Sequence, residues 1–369
     1  MDLDEELLKT GDQAITPLLT EDTATVDKQN TQSITQNKLE MIRQEAHELL
    51  QARQWPQAGA AFLELLKYNA QDEDALIGVA TALDGINRYE SLYSAAQSIL
   101  DINPSSARGL AYKARALQKL ERLSEATIAN DQALLLDTNL GLAWINRSGL
   151  QLLQQKFPEA LRSTQRAIEL APDDTRSWAN RGIALLNFNR LTEALEAFER
   201  SLSLDPDNIF SLQLKGELLC RMGRMRDVIP AARQILMSDP NHVPALTLAA
   251  QALRSLEMYS ALKEIAKELT RLTPDSLFAW ENYMRGLRGT GLFEEANEAL
   301  DHLLKLDPSN VRFWTLKADT LYRLERYREA ASVAERATRL DQDYAPAHRI
   351  HEKAVKLMYQ KKGKKKPRD

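Results

Sequence analysis

The stretch AWINRSG (residues 143–149) is followed 34 residues later by SWANRGI (residues 177–183), and both carry Trp, Asn and Arg in the same order. This likeness could be chance, a duplicated active site or the period of a repeating structure. At a period of 34 the chain divides, without insertion or deletion, into nine blocks that begin at residues 39, 73, 107, 141, 175, 209, 243, 277 and 311. One phase kept over residues 39–344 indicates a structural repeat.

Each block has the same pattern of residue sizes. The eighth position is small in eight of the nine blocks, the seventeenth is always large and apolar, and the twentieth is alanine in six. Apolar residues spaced three and four apart predict two helices per block, with no strand pattern. Proline at the thirty-second position of six blocks ends the second helix, because the residue before proline disfavours helical geometry. The sequence therefore predicts an all-α protein.

This pattern resembles the tetratricopeptide repeat. The resemblance implies an α-α superhelix, a solenoid of tandem helix-turn-helix repeats, in which the first helices line a concave groove and the second helices lie outside. Two such helices cannot bury their apolar faces alone, so each repeat is stabilised by its neighbours. The resemblance covers residues 39–344.

The chain is expected to have four parts. A disordered acidic segment, 1–38, comes first; a capping helix, 345–360, and a basic tail, 361–369, come last. Between them are nine repeats, which we number 1 to 9 in chain order: 39–72, 73–106, 107–140, 141–174, 175–208, 209–242, 243–276, 277–310 and 311–344.

Charge and composition exclude several classes of protein. The net charge of −4 combines −5 in residues 1–38, −6 in residues 39–344 and +7 in residues 345–369. The acidic body argues against a nucleic-acid partner, because affinity for nucleic acid comes mainly from neutralising phosphates. The sequence shows no secretory signal and no apolar run long enough for a membrane span. We therefore expect a cytoplasmic protein.

No catalytic, cofactor or metal motif is present. The chain lacks a phosphate-binding or dinucleotide-binding glycine loop. The lone cysteine, Cys220, excludes a disulfide framework and is expected to be packed in a helix. The pair His348 and His351 does not form a metal motif and is expected to lie on a solvated helix face. The prediction is a protein that is not an enzyme and that has neither cofactor nor metal.

Three asparagines are the first candidate binding residues. Asn146, Asn180 and Asn282 occupy the sixth position of their repeats, which the family resemblance places on the groove wall. An amide can donate to and accept from a peptide backbone, so these residues would hold an extended peptide regardless of its sequence. The alternative is that they are ordinary polar surface residues.

Arginines in the C-terminal half are the second set of candidates. By the same resemblance, groove positions there carry Arg254, Arg285, Arg288, Arg312 and Arg323, together with Arg221, opposed by Glu217, Glu281 and Asp319. Because guanidinium groups bind carboxylates through two hydrogen bonds, an acidic partner is expected. The alternative is that these arginines only confer solubility.

The predicted function is a protein–protein interaction scaffold that binds an extended peptide or a partner surface in its groove. The first alternative is a non-catalytic subunit or assembly factor, autoinhibited by its acidic N-terminal arm. An RNA-binding helical repeat is the second alternative, which the acidic body disfavours. The sequence indicates neither the partner's identity nor the oligomeric state.

Overall fold

The computed structural model describes residues 36–363, with side chains for 38–360, and this part of the chain is helical throughout apart from short turns. No strand occurs within 36–363, which confirms the predicted all-α class. In chain order the helices are α1 (Gln36–Gln51), α2 (Trp55–Tyr68), α3 (Glu73–Gly85), α4 (Tyr89–Ile102), α5 (Ala107–Lys119), α6 (Leu123–Leu136), α7 (Gly141–Leu153), α8 (Phe157–Leu170), α9 (Thr175–Asn187), α10 (Leu191–Leu204), α11 (Ile209–Arg221), α12 (Met225–Ser238), α13 (Val243–Ser255), α14 (Tyr259–Leu272), α15 (Leu277–Gly289), α16 (Phe293–Leu306), α17 (Val311–Arg323), α18 (Tyr327–Leu340) and α19 (Ala345–Gly363).

The two predicted end segments lie mostly outside the described residues. Of the acidic segment 1–38, only residues 36–38 are described, and they begin α1. At the other end, α19 covers the predicted capping helix and continues to Gly363. Its buried face, formed by Ala347, Ile350 and Ala354, packs on the last repeat. The rest of the basic tail is outside the described residues.

The repeat position determines where each helix begins. All nine second helices start at the seventeenth residue of their repeats, as α2 does at Trp55 and α4 does at Tyr89. The residue before most first helices caps the helix with its side chain; Asp72, for example, accepts a hydrogen bond from the amide of Ala75 at 3.0 Å. Such a cap satisfies an otherwise unpaired amide of the first turn. Local sequence therefore sets the helix boundaries.

Small residues allow the helices of a repeat to approach closely. The eighth position is buried in all nine repeats, and Ala194 at a twentieth position has no solvent exposure. Gly182 shows how little room remains, because a Cβ atom there would lie 2.4 Å from the ring of Phe198. The size pattern of the sequence is thus a packing requirement.

The tryptophans of the opening stretches join consecutive repeats. The indole Nε1 of Trp144 donates to the main-chain oxygen of Thr138 at 2.8 Å, and that of Trp178 donates to Pro172 at 2.9 Å. Trp280 and Trp314 make the equivalent bonds. In each case the acceptor is the thirty-second residue of the preceding repeat. The repeated tryptophan is therefore a structural joint.

The turn within each repeat uses the left-handed backbone region. The fifteenth residue has positive φ in every repeat, yet only Gly223 and Gly291 are glycines. Glu121, with φ of 62°, and Gln155, with φ of 58°, keep a side chain in this conformation. A Cβ atom in the left-handed region costs roughly 1–2 kcal/mol.

Glu121→Gly and Gln155→Gly are therefore each expected to stabilise the fold by about 0.5–1 kcal/mol, since glycine adopts positive φ without this clash. Urea unfolding followed by circular dichroism measures the gain. The reciprocal variant Gly223→Ala, at φ 72°, should lower stability. Equal or lower stability of both glycine variants would contradict the assigned turn.

The chain forms two compact units, Met1–Leu204 and Asp205–Asp369. We call them the N-terminal unit and the C-terminal unit. The first includes α1 to α10, and the second includes α11 to α19. Each unit is a stack of helix pairs in which neighbouring pairs pack against each other.

Candidate functional site

The predicted asparagines use their amide groups inside the fold. Asn146 is 2% exposed, and its Nδ2 donates to the main-chain oxygen of Ala111 in the preceding first helix at 2.8 Å. Asn180 is half-buried, and its Nδ2 donates to the hydroxyl of Ser148 at 2.8 Å.

Asn282 is 1% exposed, and its Nδ2 donates to the main-chain oxygen of Phe278 in its own helix. The structure therefore differs from the predicted ladder on an open groove wall. The physical reason is that the sixth position of a first helix is covered by packing, so Asn146 and Asn282 present no amide to solvent.

Three of the predicted arginines lie together in the C-terminal unit. Arg288 on α15 and Arg323 on α17 both form ion pairs with Asp319, the latter at 3.1 Å. Arg285, one turn before Arg288, is half-buried and has no ion pair with a carboxylate in the described part of the chain. We call Arg285, Arg288 and Arg323 the arginine face.

The arginine face has an excess of positive charge. Burial lowers the pKa of Arg288, Asp319 raises it, and the nearby charges of Arg323 and Arg285 lower it again, so that the pKa ends below its usual value. Arginine remains protonated even so. The direction of the shift shows that one carboxylate does not balance three guanidinium groups.

The other two predicted arginines make separate contacts. Arg312 pairs with Glu281 at 2.8 Å between their side-chain atoms. The guanidinium carbon of Arg254 lies 5.8 Å from the ring centroid of Phe278, a cation–π distance. Neither residue shares Asp319 with the arginine face.

Sequence reasoning missed a polar network in the N-terminal unit. The carboxylate of Asp84 on α3 accepts from Arg115 on α5 at 2.9 Å and from Arg176 on α9 at 2.7 Å. Arg176 also pairs with Asp174 at 2.8 Å. These residues occupy the same groove positions that supplied the predicted arginines, so surveying the charges of the N-terminal half at those positions would have found them.

The carboxylates of this network are held in the ionised form. Burial alone raises the pKa of Asp84, but Arg176 and Arg115 bring it below its usual range. The pKa of Asp174 is likewise lowered against the effect of burial, mainly by Arg176. The network is therefore fully charged at neutral pH.

A pocket of about 270 Å³ lies on the first-helix side of the N-terminal unit. Its apolar wall includes Leu50, Ile77 and Leu142, and its polar residues include Asp74 and Arg108. The pocket brings repeat 1 next to repeat 4, much as Arg176 brings repeat 5 next to repeat 2. Such contacts between repeats three apart place the first helices on the concave side of this unit.

Two searches of the described residues gave no further site. None of the helices there is both long and apolar enough to cross a membrane. Within the same residues, no group of three or more His, Cys, Asp and Glu side chains is arranged to hold a metal ion.

Comparison with known proteins gives the family of these repeats. The sequence model of the tetratricopeptide repeat matches residues 150–209 and 285–345. None of the curated proteins matches the chain.

Solved structures with a similar fold include three repeat proteins of low sequence identity. One is reported as a functional characterization of Pseudomonas aeruginosa pilF; it is 22% identical, the match covers 58% of this chain and 98% of that one, and the TM-score is 0.49. The APC/C hetero-tetramer Cut9–Hcn1 is 14% identical over 96% of this chain and 60% of that one, with a TM-score of 0.44. YrrB, a tetratricopeptide repeat protein with an unusual peptide-binding site, is 22% identical over 50% of this chain and 96% of its own, with a TM-score of 0.35.

These neighbours say nothing about what this chain binds. The family match agrees with the helix pairs of 34 residues and with the packing of small residues at their eighth positions. The chain is a tetratricopeptide repeat protein.

Proposed function

We propose that this chain is a non-catalytic interaction scaffold whose C-terminal unit binds an acidic segment of a partner protein on the arginine face. Tetratricopeptide repeats generally mediate protein–protein interactions. The observation that carries the proposal is the sharing of one carboxylate, Asp319, by a cluster of three guanidinium groups. A carboxylate from a partner would supply the missing hydrogen-bond acceptors.

The N-terminal unit is a weaker candidate for the same ligand. Its inward-facing arginines, Arg115 and Arg176, already pair with Asp84 and Asp174. An acidic ligand would have to displace these carboxylates, whereas Arg285 is open to a new partner. Arg254 and Arg312 flank the arginine face in sequence and would extend the surface.

Fluorescence anisotropy with a labelled peptide of alternating glutamate and glycine tests the proposal. We expect Arg285→Ala to weaken binding roughly tenfold, because a charge-assisted hydrogen bond contributes about 1.5 kcal/mol or more. Binding to the parent chain should also weaken as salt is raised from 50 to 300 mM, since exposed charges are screened (roughly 10 Å Debye length at 0.1 M).

The matched control is Arg328→Ala, which removes the same charge from an exposed site on α18. Equal affinities of the Arg285 and Arg328 variants would overturn the proposed site. Tighter binding of an oligoribonucleotide of equal charge would instead favour the nucleic-acid alternative.

The autoinhibited alternative uses the same surface. Residues 1–38 carry eight acidic residues and three lysines, so this arm has the charge that the arginine face would attract. Deleting residues 1–35 should then raise the affinity for the acidic peptide. Unchanged affinity would mean that the arm does not compete for the arginine face.

A further inference from the structure

The ion pair between Arg176 and Asp84 joins two repeats that are not neighbours. The residues are 92 positions apart, in repeats 5 and 2, and their charged atoms lie 2.7 Å apart. A stack of repeats is held together by contacts between neighbours. This pair is therefore an additional constraint on the winding of the N-terminal unit.

An apolar contact between repeats 1 and 4 accompanies it. Leu142, at the start of α7, packs against the core cluster of the first repeats and lines the same pocket as His47 and Leu50 of α1. Tyr112 lines this pocket too, and its hydroxyl bonds to Thr81 at 2.6 Å. Asp84 and Arg176 lie close enough to act electrostatically on Tyr112. The ion pair and the pocket are thus adjacent parts of one closed concave side.

Each member of the ion pair has a second partner on its own side. Asp84 is also bound by Arg115, in the neighbouring repeat, at 2.9 Å. Arg176 is also bound by Asp174, two residues earlier, at 2.8 Å.

Removing one member of a buried ion pair normally leaves an uncompensated charge, which is strongly unfavourable. Here the pair between the repeats can separate while Asp84 keeps Arg115 and Arg176 keeps Asp174. The side chains of Asp84 and Arg115 are only 12% and 15% exposed, so a remaining partner is essential for opening. The arrangement has the properties of a contact that opens and closes.

We propose that the Arg176–Asp84 pair is a latch that closes the concave side of the N-terminal unit. When the latch is open, repeats 2 and 5 move apart, and the surface around Tyr112 becomes accessible to a partner. When it is closed, that surface is covered by the chain's own residues. This inference does not depend on the arginine face binding an acidic partner.

Double electron–electron resonance on the full-length chain tests the latch without any ligand. Spin labels are placed at Glu90→Cys on α4 and Glu196→Cys on α10, both exposed, with Cys220→Ser removing the native thiol. The parent should give one narrow distance distribution between the labels. Arg176→Gln should shift most of the distribution to longer distances and broaden it.

Arg115→Gln is the matched control, because it removes an arginine from the same carboxylate but leaves the latch in place. It should keep the parental distribution. Asp84→Asn, which removes both ion pairs, should open the unit as Arg176→Gln does. A parental distribution for Arg176→Gln, an equal shift for Arg115→Gln, or loss of the helical circular dichroism signal in Arg176→Gln would each overturn the proposal.

Discussion

Ala194→Trp is expected to destabilise the chain by about 3 kcal/mol or more, because the position allows two helices to approach closely. Ala194 is fully buried on α10, one turn after the start of that helix, and it faces the region that Gly182 and Phe198 fill. An indole there must push the helices apart. The midpoint of urea unfolding, followed by circular dichroism, measures the loss.

The control for this variant introduces the same residue at Glu196, which is exposed on the same helix. Glu196→Trp should unfold close to the parental midpoint. If both tryptophan variants unfold like the parent, the assigned phase of the repeat is wrong.

The helical architecture could be predicted from the sequence because it depends on local residue size. Alanine, glycine or serine at the eighth position and a large residue at the seventeenth specify how two helices pack within a repeat. The start of a second helix at Trp55 or Tyr89 follows from that register. Periodicity reports these contacts directly, since both partners lie within one period.

The contacts between distant repeats could not be predicted in the same way. The approach of Arg176 to Asp84 depends on how much each repeat rotates relative to the last, and small rotations add up over three repeats. The burial of Asn146 has a related cause. Its position in the repeat was known from the sequence, but how closely Ala111 of the preceding first helix approaches it was not.

The arginine face lies between these two cases. The groove positions predicted which arginines share a surface, and Arg288 and Arg323 do meet at Asp319. That Arg312 is neutralised by Glu281 follows from a contact between neighbouring first helices, which charge counting alone does not give. Whether the remaining positive charge binds a partner is the proposal to be tested.

Reversing charge on the arginine face is expected to change its ligand preference. Arg285→Glu together with Arg323→Glu leaves the Arg288–Asp319 pair intact, so the fold should be retained. The acidic peptide should bind at least about tenfold more weakly, because two attractions become repulsions, although both side chains are partly exposed and therefore screened. A peptide of alternating lysine and glycine should in turn gain affinity.

Calorimetric titration of the parent and this double variant with both peptides is the most direct test of the central claim. The claim predicts a crossover, in which the parent prefers the acidic peptide and the variant prefers the basic one, while Glu294→Lys with Glu295→Lys on α16 keeps the parental preference. If the parent and the double variant bind both peptides with the same ranking, the arginine face is not the binding site.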